Sequence, residues 1–350
     1  MIAPLFVLDE PQPHRLKAGE VHRVRGAALA VEGPPLETLA ILRDGVAIAE
    51  TPIDKPCPEL AVLPLPRAAH SRFELDVRLD AGTEYEFRSG PATLFRYFVS
   101  SESLRRMREV TAAVTALPMP PPELVATTQG GSDVTSYIDS AVSGFFTIER
   151  LLADTNANAI LDIGCGTGRL LLGWHAAGRR CAGVDINPML IEWNRTHLGE
   201  VADWRTNDVL PPLPFDNATF DVIQLASVFT HLPLAHQKAW LVELRRLLRP
   251  GGAAIVTLHG ELYARMLLHD EGRAELARSG YTEVAGADPG ANAFATYHTR
   301  AFAEELFSDF GAIEYFPRGN AASRASMFPI AALQDVYVLQ SPRTPSRKRL

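Results

Sequence analysis

The sequence predicts an α/β protein: a mainly parallel sheet flanked by helices, preceded by a small all-β module. Three observations carry this. From Ala159 onward, short apolar runs alternate with helix-like segments, the pattern of a parallel sheet covered on both faces. The first run, Ile160–Ile163, enters a turn with glycines at 164, 166 and 168. Residues 1 to about 100 read instead as short strands punctuated by Gly, Pro and Asp, which suggests a small sandwich.

The strand-like runs of the first part are Val21–Val31, Leu39–Ala49, Glu59–Leu65, Arg72–Leu79, Thr83–Arg88 and Thr93–Ser100. Asp44–Gly45 between apolar residues is a hairpin signal. An immunoglobulin-like or fibronectin-like module is expected for residues 1–100. It shows no catalytic constellation, and His14, His22 and His70 stand alone. Ser101–Leu117 reads as a helix stopped by Pro118. The Pro/Gly-rich stretch from Pro118 to Ser132 reads as a connector, with residues 101–133 as helix and linker. The second domain then covers 134–341, and the basic tail 342–350 is expected to be disordered.

Composition bounds the function. The 350 residues are 47% hydrophobic and 21% charged, as in a globular protein. A net charge of −7 argues against a nucleic-acid partner. No apolar run is long enough for a membrane span, and the N-terminus lacks the basic region of a secretory signal. Cys57, Cys165 and Cys181 lack metal-ligand spacing and read as free thiols in a reducing compartment, so a cytoplasmic location is expected. No metal site is expected.

In the second part the strands fall at about 159–163, 181–185, 202–206, 220–225, 253–258, 312–316 and 334–340. Asp133–Leu152 carries apolar residues at helical spacing ahead of them. The helix near 234–248 places Trp240, Leu241, Leu244, Leu247 and Leu248 on one face. Arg245, Arg246 and Arg249 crowd its last turn and read as helix-end charges. Gly260–His298 is longer than a βα connection requires. It is expected to hold a helical cap, Glu261–Arg278, and a loop, Ser279–His298. At the carboxyl edge of the sheet this insertion is the expected determinant of substrate choice.

The glycine turn discriminates between cofactors. A dinucleotide fingerprint is G-x-G-x-x-G, whose third glycine packs helix against strand. Here the third glycine comes one position early, at Gly168, and Arg169 stands where the dinucleotide motif needs glycine. Asp162–Gly168 (DIGCGTG) instead resembles motif I of the class I S-adenosylmethionine-dependent methyltransferases, of the type 11/25 kind that act on small molecules or glycans. Further segments agree in order. Cys181–Asp185 ends in an acid 17 residues past Gly168. Asn207–Val209, Phe220–Ile223 and Arg249–Gly252 resemble the family's third strand end, fourth strand and turn before the fifth. The resemblance covers about residues 130–341. It implies a Rossmann-like seven-stranded sheet, six strands parallel and one, Gln334–Gln340, antiparallel.

The same resemblance implies S-adenosylmethionine as cofactor and assigns its contacts. Asp162, Gly164, Cys165, Gly166 and Gly168 would surround the methionine and ribose. A carboxylate can grip two hydroxyls at once, and Asp185 would hold the ribose so, with Ile186 beside it. Asn207, Asp208 and Val209 would address the adenine. Ala226 and Ser227 would line the methyl-transfer side. Tyr137, on the helix before the first strand, is either a lid contact or a packing residue. Cys165 is a redox candidate or a small buried filler.

His231 and His259 follow the fourth and fifth strands at the same edge, and either is a candidate to deprotonate or orient the acceptor. His298 in the insertion is a weaker candidate. The fourth strand ends Gln224–Ser227 (QLAS), unlike the Pro-Pro-Tyr pattern of adenine amino methylation, and no cysteine nucleophile or acidic metal triplet accompanies it. What remains is O- or N-methylation of a small molecule or glycan, with the sandwich as a contact for protein or carbohydrate. The alternative is a non-catalytic S-adenosylmethionine-binding or scaffold protein that keeps the fold.

Overall fold

The computed structural model describes residues 4–12, 15–61, 63–129, 133–152, 155–284, 288–290, 293–317 and 334–342. Contacts divide them into two units, residues 4–112 and residues 113–317 with 334–342.

The first unit is built from β1 (Leu5–Glu10), β2 (Glu20–Leu29), β3 (Thr38–Arg43), β4 (Val46–Pro52), β5 (Arg72–Leu79), β6 (Thr83–Ser89) and β7 (Ala92–Val99). They form two antiparallel sheets, β1-β2-β5 and β4-β3-β6-β7. Distributing consecutive strands between two sheets in this way is the connectivity of immunoglobulin-like sandwiches. Asp44 and Gly45 join β3 to β4 with φ of 49° and 81°, the doubly positive turn that suits the twist of a hairpin. Phe6 on β1 meets Phe87 and Phe95 of the other sheet, with ring centroids 5.4 Å away in each case. Tyr85 on β6 is fully buried, and its hydroxyl accepts from the Asp80 amide at 2.7 Å. Such a tyrosine corner braces the passage from one sheet to the other.

Two readings of this unit are corrected. Glu59–Leu65 is not a strand: Pro58, Pro64 and Pro66 offer no amide, and its described residues form turns such as Leu63 N–H to Leu60 O, 3.0 Å. Leu5–Glu10, not expected as a strand, is one. His14 and the tail from 343 onward lie outside the described residues.

Helices α1 (Ser101–Thr115), α2 (Pro122–Gln129) and α3 (Val134–Leu151) lead to the sheet. The expected connector therefore contains a helix, α2. Its proline at the first helical position needs no amide partner there, so the residue type does not forbid the helix. Asp133 caps α3 by accepting from the Ser136 amide.

The elements that follow are β8 (Ala159–Ile163), α4 (Arg169–Ala176), β9 (Arg180–Asp185), α5 (Pro188–His197), β10 (Asp203–Thr206), β11 (Phe220–Leu225), α6 (Leu234–Leu247) and β12 (Leu248–Leu258). Next come α7 (Glu261–Leu267), α8 (Asp270–Ser279), β13 (Tyr281–Val284), β14 (Ala295–His298), α9 (Arg300–Leu306), β15 (Ala312–Phe316) and β16 (Asp335–Gln340). The large sheet runs β10-β9-β8-β11-β12-β16-β15. Its neighbours are parallel except β16, which is antiparallel to both β12 and β15. The Rossmann-like sheet of six parallel strands and one antiparallel strand is thus present. Continuous burial along β8 and nearly all of β9 and β11 is what a sheet covered on both faces requires.

The arginines closing α6 are structural. Arg245 pairs with Asp309, Arg246 with Glu243 at 2.7 Å, and Arg249 with Asp221 at 2.9 Å.

The insertion differs from expectation in two respects. Its helical part is two helices, α7 and α8, broken at Leu268–His269, with Asp270 and Glu271 opening the second. Gly280 (φ 77°) ends α8, donating to the Leu276 carbonyl. The expected loop Ser279–His298 is a hairpin whose arms Tyr281–Val284 and Ala295–His298 pair antiparallel. Each arm is four residues long, too short for alternation to show in the sequence.

Candidate active site

The reversal of connection direction between β8 and β11 opens a crevice at the carboxyl ends of the strands, where ligands of such sheets bind. The glycine turn forms its floor. Gly164, Gly166 and Gly168 have φ of 71°, 54° and 78°, values that residues with a Cβ rarely adopt. Space is equally restrictive. A Cβ on Gly166 would lie 2.8 Å from the Thr128 methyl of α2, and one on Gly168 2.5 Å from the Trp204 ring.

Buried polar groups hold this turn. The Gly166 amide donates to Asp185 Oδ2 at 2.8 Å, and Asn194 Nδ2 donates to the Gly166 carbonyl at 2.8 Å. Tyr137 donates its hydroxyl to the Thr167 carbonyl at 3.1 Å. That ring is 1% exposed, and burial pushes its pKa up to about 12. Tyr137 of α3 is packed, and its hydroxyl holds the turn. Cys165 is likewise buried, its sulfur against Gly183, and burial keeps the thiol protonated. Its side chain is a filler.

Asp185 sits at the tip of β9. Oδ1 accepts from the Asn187 amide at 2.8 Å and Oδ2 from Gly166. Each carboxylate oxygen has two lone-pair sites, so one on each remains for a ligand hydroxyl. Burial raises its pKa, against the pull of the two amides. Asp162 lies deeper, 3% exposed and in register with Gln224 on β11. Burial pushes its pKa up to about 7, with Gln224 and Arg169 opposing and Asp185 reinforcing the shift.

Beyond Asp185, Ile186 is 44% exposed, an apolar surface beside a polar clamp. Asp208 is exposed, and the Val209 carbonyl accepts from Trp240 Nε1 at 3.0 Å. Asn207 donates to the Asp208 carbonyl at 2.7 Å, while its own Oδ1 is buried without a partner among the described residues. Thr167 Oγ1 in the turn is also buried and unpartnered among them. Buried polar atoms are normally paired, so these two await a ligand or water.

Across the crevice Ser227, two residues past β11, is in the left-handed region, φ 60°, a strained state for a residue with a Cβ. Its amide donates to Thr257 Oγ1 at 2.7 Å, and Thr257 donates to Gln334 Oε1 at 2.6 Å. Ala226 beside it is half-buried. His231 and His259 come together, ring centroids 6.2 Å apart and perpendicular. His231 Nδ1 donates to the Phe294 carbonyl at 2.8 Å. A carbonyl only accepts, so in the neutral ring the lone pair lies on Nε2. His259 stacks on Tyr263 at 4.3 Å and lies 5.3 Å from Tyr297. Burial first, and the neighbouring His231 second, lower its pKa to about 4. His298 is 1% exposed; its amide donates to the His259 carbonyl at 3.0 Å, and its ring bonds Gln237.

The structure thus brings Asp162, Gly164, Gly166, Gly168, Asp185 and Tyr137 to one side, and Ser227, His231 and His259 to the other. Sequence reasoning missed Thr128, Asn194, Trp204, Gln237, Phe294 and Thr296. Only Asn194 left a trace, as a polar residue on the buried face of α5.

This sheet order, with its glycine turn and strand-tip acids, is the arrangement of class I S-adenosylmethionine-dependent methyltransferase domains. Residues 161–256 match the family described as methyltransferase domain. Malonyl-[acyl-carrier protein] O-methyltransferase of Hahella chejuensis is 38% identical over 103 residues, 27% of this chain and 34% of that protein. Demethylmenaquinone methyltransferase of Tropheryma whipplei is 29% identical over 109 residues, 31% of this chain and 44% of that protein. The chain therefore spans less than half the length of these curated relatives. A solved S-adenosylmethionine-dependent methyltransferase from Methanosarcina mazei aligns over 55% of this chain and 98% of its own, with 19% identity and a TM-score of 0.42.

The residues present fit S-adenosylmethionine. Asp185 keeps a lone pair on each oxygen, Thr167 Oγ1 and Asn207 Oδ1 lack partners among the described residues, and Ile186 offers an apolar face.

Proposed function

We propose that this chain transfers a methyl group from S-adenosylmethionine to an oxygen or nitrogen of a small molecule or glycan. The observation that carries the reading is the Asp185 carboxylate, fixed by two backbone amides beside the glycine turn. Bound S-adenosylmethionine supplies a methyl on a sulfonium, already activated as an electrophile. The chain must then align an acceptor and, for a hydroxyl or ammonium, take its proton.

In this reading Asp185 holds the ribose hydroxyls. Ile186, Asn207, Asp208 and Val209 surround the adenine, and Gly164, Gly166, Gly168 and Thr167 approach the methionine end. Asp162 and Cys165 support the turn from beneath. Ala226 and Ser227 border the acceptor. His231 is the proton acceptor, because its Nδ1 bond leaves Nε2 free. His259, with a pKa near 4, is too weak a base for that task and serves as a neutral wall of the acceptor side. Tyr263 stacks on His259 and Ser227 bonds Gln334, so aromatic, hydroxyl and amide groups flank the two histidines. The name of the Hahella relative, an O-methyltransferase, is in keeping with oxygen. The sandwich contributes a protein or carbohydrate contact, by analogy with its fold.

The test is transfer of labelled methyl from S-adenosylmethionine into fractionated small-molecule and glycan extracts. Label in a product with the wild type, and none with Asp185→Ala, is the expected result. Tight cofactor binding with no labelled fraction would favour the non-catalytic alternative.

A further inference from the structure

The short turn Phe229–His231, which carries the candidate proton acceptor, is tied to the insertion by a chain of buried polar groups. Gln237 on α6 is 0% exposed. Its Nε2 donates to the Phe229 carbonyl at 3.0 Å and the Leu232 carbonyl at 2.9 Å, one at each end of the turn. The Thr296 hydroxyl, from β14, donates to the same Phe229 carbonyl at 2.9 Å and lies 3.2 Å from Gln237 Nε2. Two carbonyl acceptors fix which end of the amide is nitrogen. Gln237 Oε1 therefore faces His298, whose Nε2 donates to it at 3.0 Å. Two further bonds reach His231 itself: the Gly290 amide donates to its carbonyl at 2.8 Å, and its ring donates to the Phe294 carbonyl at 2.8 Å.

Capping the turn alone would call for one donor. Here four residues of the insertion, Gly290, Phe294, Thr296 and His298, converge on the turn or its glutamine, and one of the bonds selects the tautomer of a ring at the acceptor side. We infer that the hairpin β13–β14 positions His231, and that Gln237, through which His298 acts, and Thr296, which bonds the turn directly, are the positioning residues. The inference rests on the role given to His231 under the proposed function. It makes the insertion part of the proton-handling apparatus as well as a cover for the acceptor.

The experiment reads the ring directly. The full chain is labelled with ¹⁵N-histidine, and long-range proton–nitrogen spectra are recorded near pH 7.5. The His231 signals are identified by their loss in His231→Gln. Wild type should show one protonated nitrogen, Nδ1, and one bare nitrogen, Nε2. Gln237→Leu and Thr296→Val should move both shifts toward the average of two tautomers, while Thr296→Ser restores the wild-type pattern. A His231 ring that stays a single Nδ1–H tautomer in the folded valine and leucine variants would overturn the inference, as would a wild-type ring protonated on Nε2. If Gln237→Leu does not fold, the valine and serine pair at position 296 decides. S-adenosylmethionine affinity, measured alongside, should not change by more than about twofold in any folded variant. Absence of cofactor binding in the wild type would refute the methyl-transfer reading and leave the tautomer result standing on its own.

Discussion

The two halves of the crevice are stabilised differently. On the cofactor half, the bonds that shape the turn are local in sequence: Gly166 reaches Asp185 across 19 residues and Asn194 across 28. On the acceptor half, the corresponding bonds span 61 residues from Gln237 to His298, 63 from His231 to Phe294, and 107 from Ser227 to Gln334. The first half is centred on β8, its glycine turn and β9, braced by the helices beside them, and its backbone conformation sets the site. The second is assembled from β11, β12, α6, the insertion and β16, and exists only once these have met. The two halves nonetheless touch through the insertion, where Gly290 lies against Ile186 and Val209.

The largest expected effect breaks the cofactor half. Asp185→Ala removes the acceptor of two charge-assisted hydroxyl bonds, each contributing about 1.5–3 kcal/mol. S-adenosylmethionine affinity should fall at least about a hundredfold in calorimetric titration, while His231→Ala should leave it unchanged. The acceptor half responds in the opposite sense. With an acceptor in hand, His231→Ala should lower the methyl-transfer rate by about 10²–10⁴-fold, the range for loss of a general base. His259→Ala should cost less than about tenfold. Equal losses in the two variants would remove the distinction drawn between these rings.

A third effect concerns pH. Asp162 holds its proton in the folded state up to a pH near 7, whereas an unfolded aspartate releases it near 4. Its contribution to stability is present in full below about 4 and is lost as pH rises through 7. His259 and His298 act the other way. Burial lowers their pKa values to about 4 and about 3, so their contributions are complete above about 6.5 and fade as the pH falls toward those values. Denaturant midpoints for Asp162→Asn should therefore decline more steeply than wild type on acidification from pH 6.5 to 4. Parallel profiles would mean that Asp162 is not protonated in the native state.

The smallest expected effect sharpens the comparison. Thr257→Val deletes the acceptor of the Ser227 amide and the donor to Gln334. It should lower stability by about 1–3 kcal/mol and leave cofactor affinity within about twofold. A change in affinity would show the halves to be coupled.

This division also decides what could be read from the sequence. The glycine turn, Asp185 and the strand order were legible because each expresses a local rule: positive φ, an acid at a strand tip, alternation of strands and helices. Helix α2 was not, since a run of prolines resembles a linker until Thr128 is seen against Gly166. The β13–β14 hairpin was not, since four-residue arms carry almost no pattern and their register is set by contacts with the turn at 229–231. Gln237 reads in sequence as an ordinary helix-surface residue. The turn at 229–232 and β14 together bury it. Tyr137 and Cys165 lie at the glycine turn, and their burial there follows from side-chain direction, which no local pattern in the sequence encodes.

The most direct test of the central claim is calorimetric titration of the wild type and Asp185→Ala with S-adenosylmethionine and S-adenosylhomocysteine, with NAD as control. The account predicts that the wild type binds the first two and not NAD, and that Asp185→Ala loses both. Unchanged binding in Asp185→Ala, binding of NAD, or no binding of either methionine compound to the wild type would contradict it.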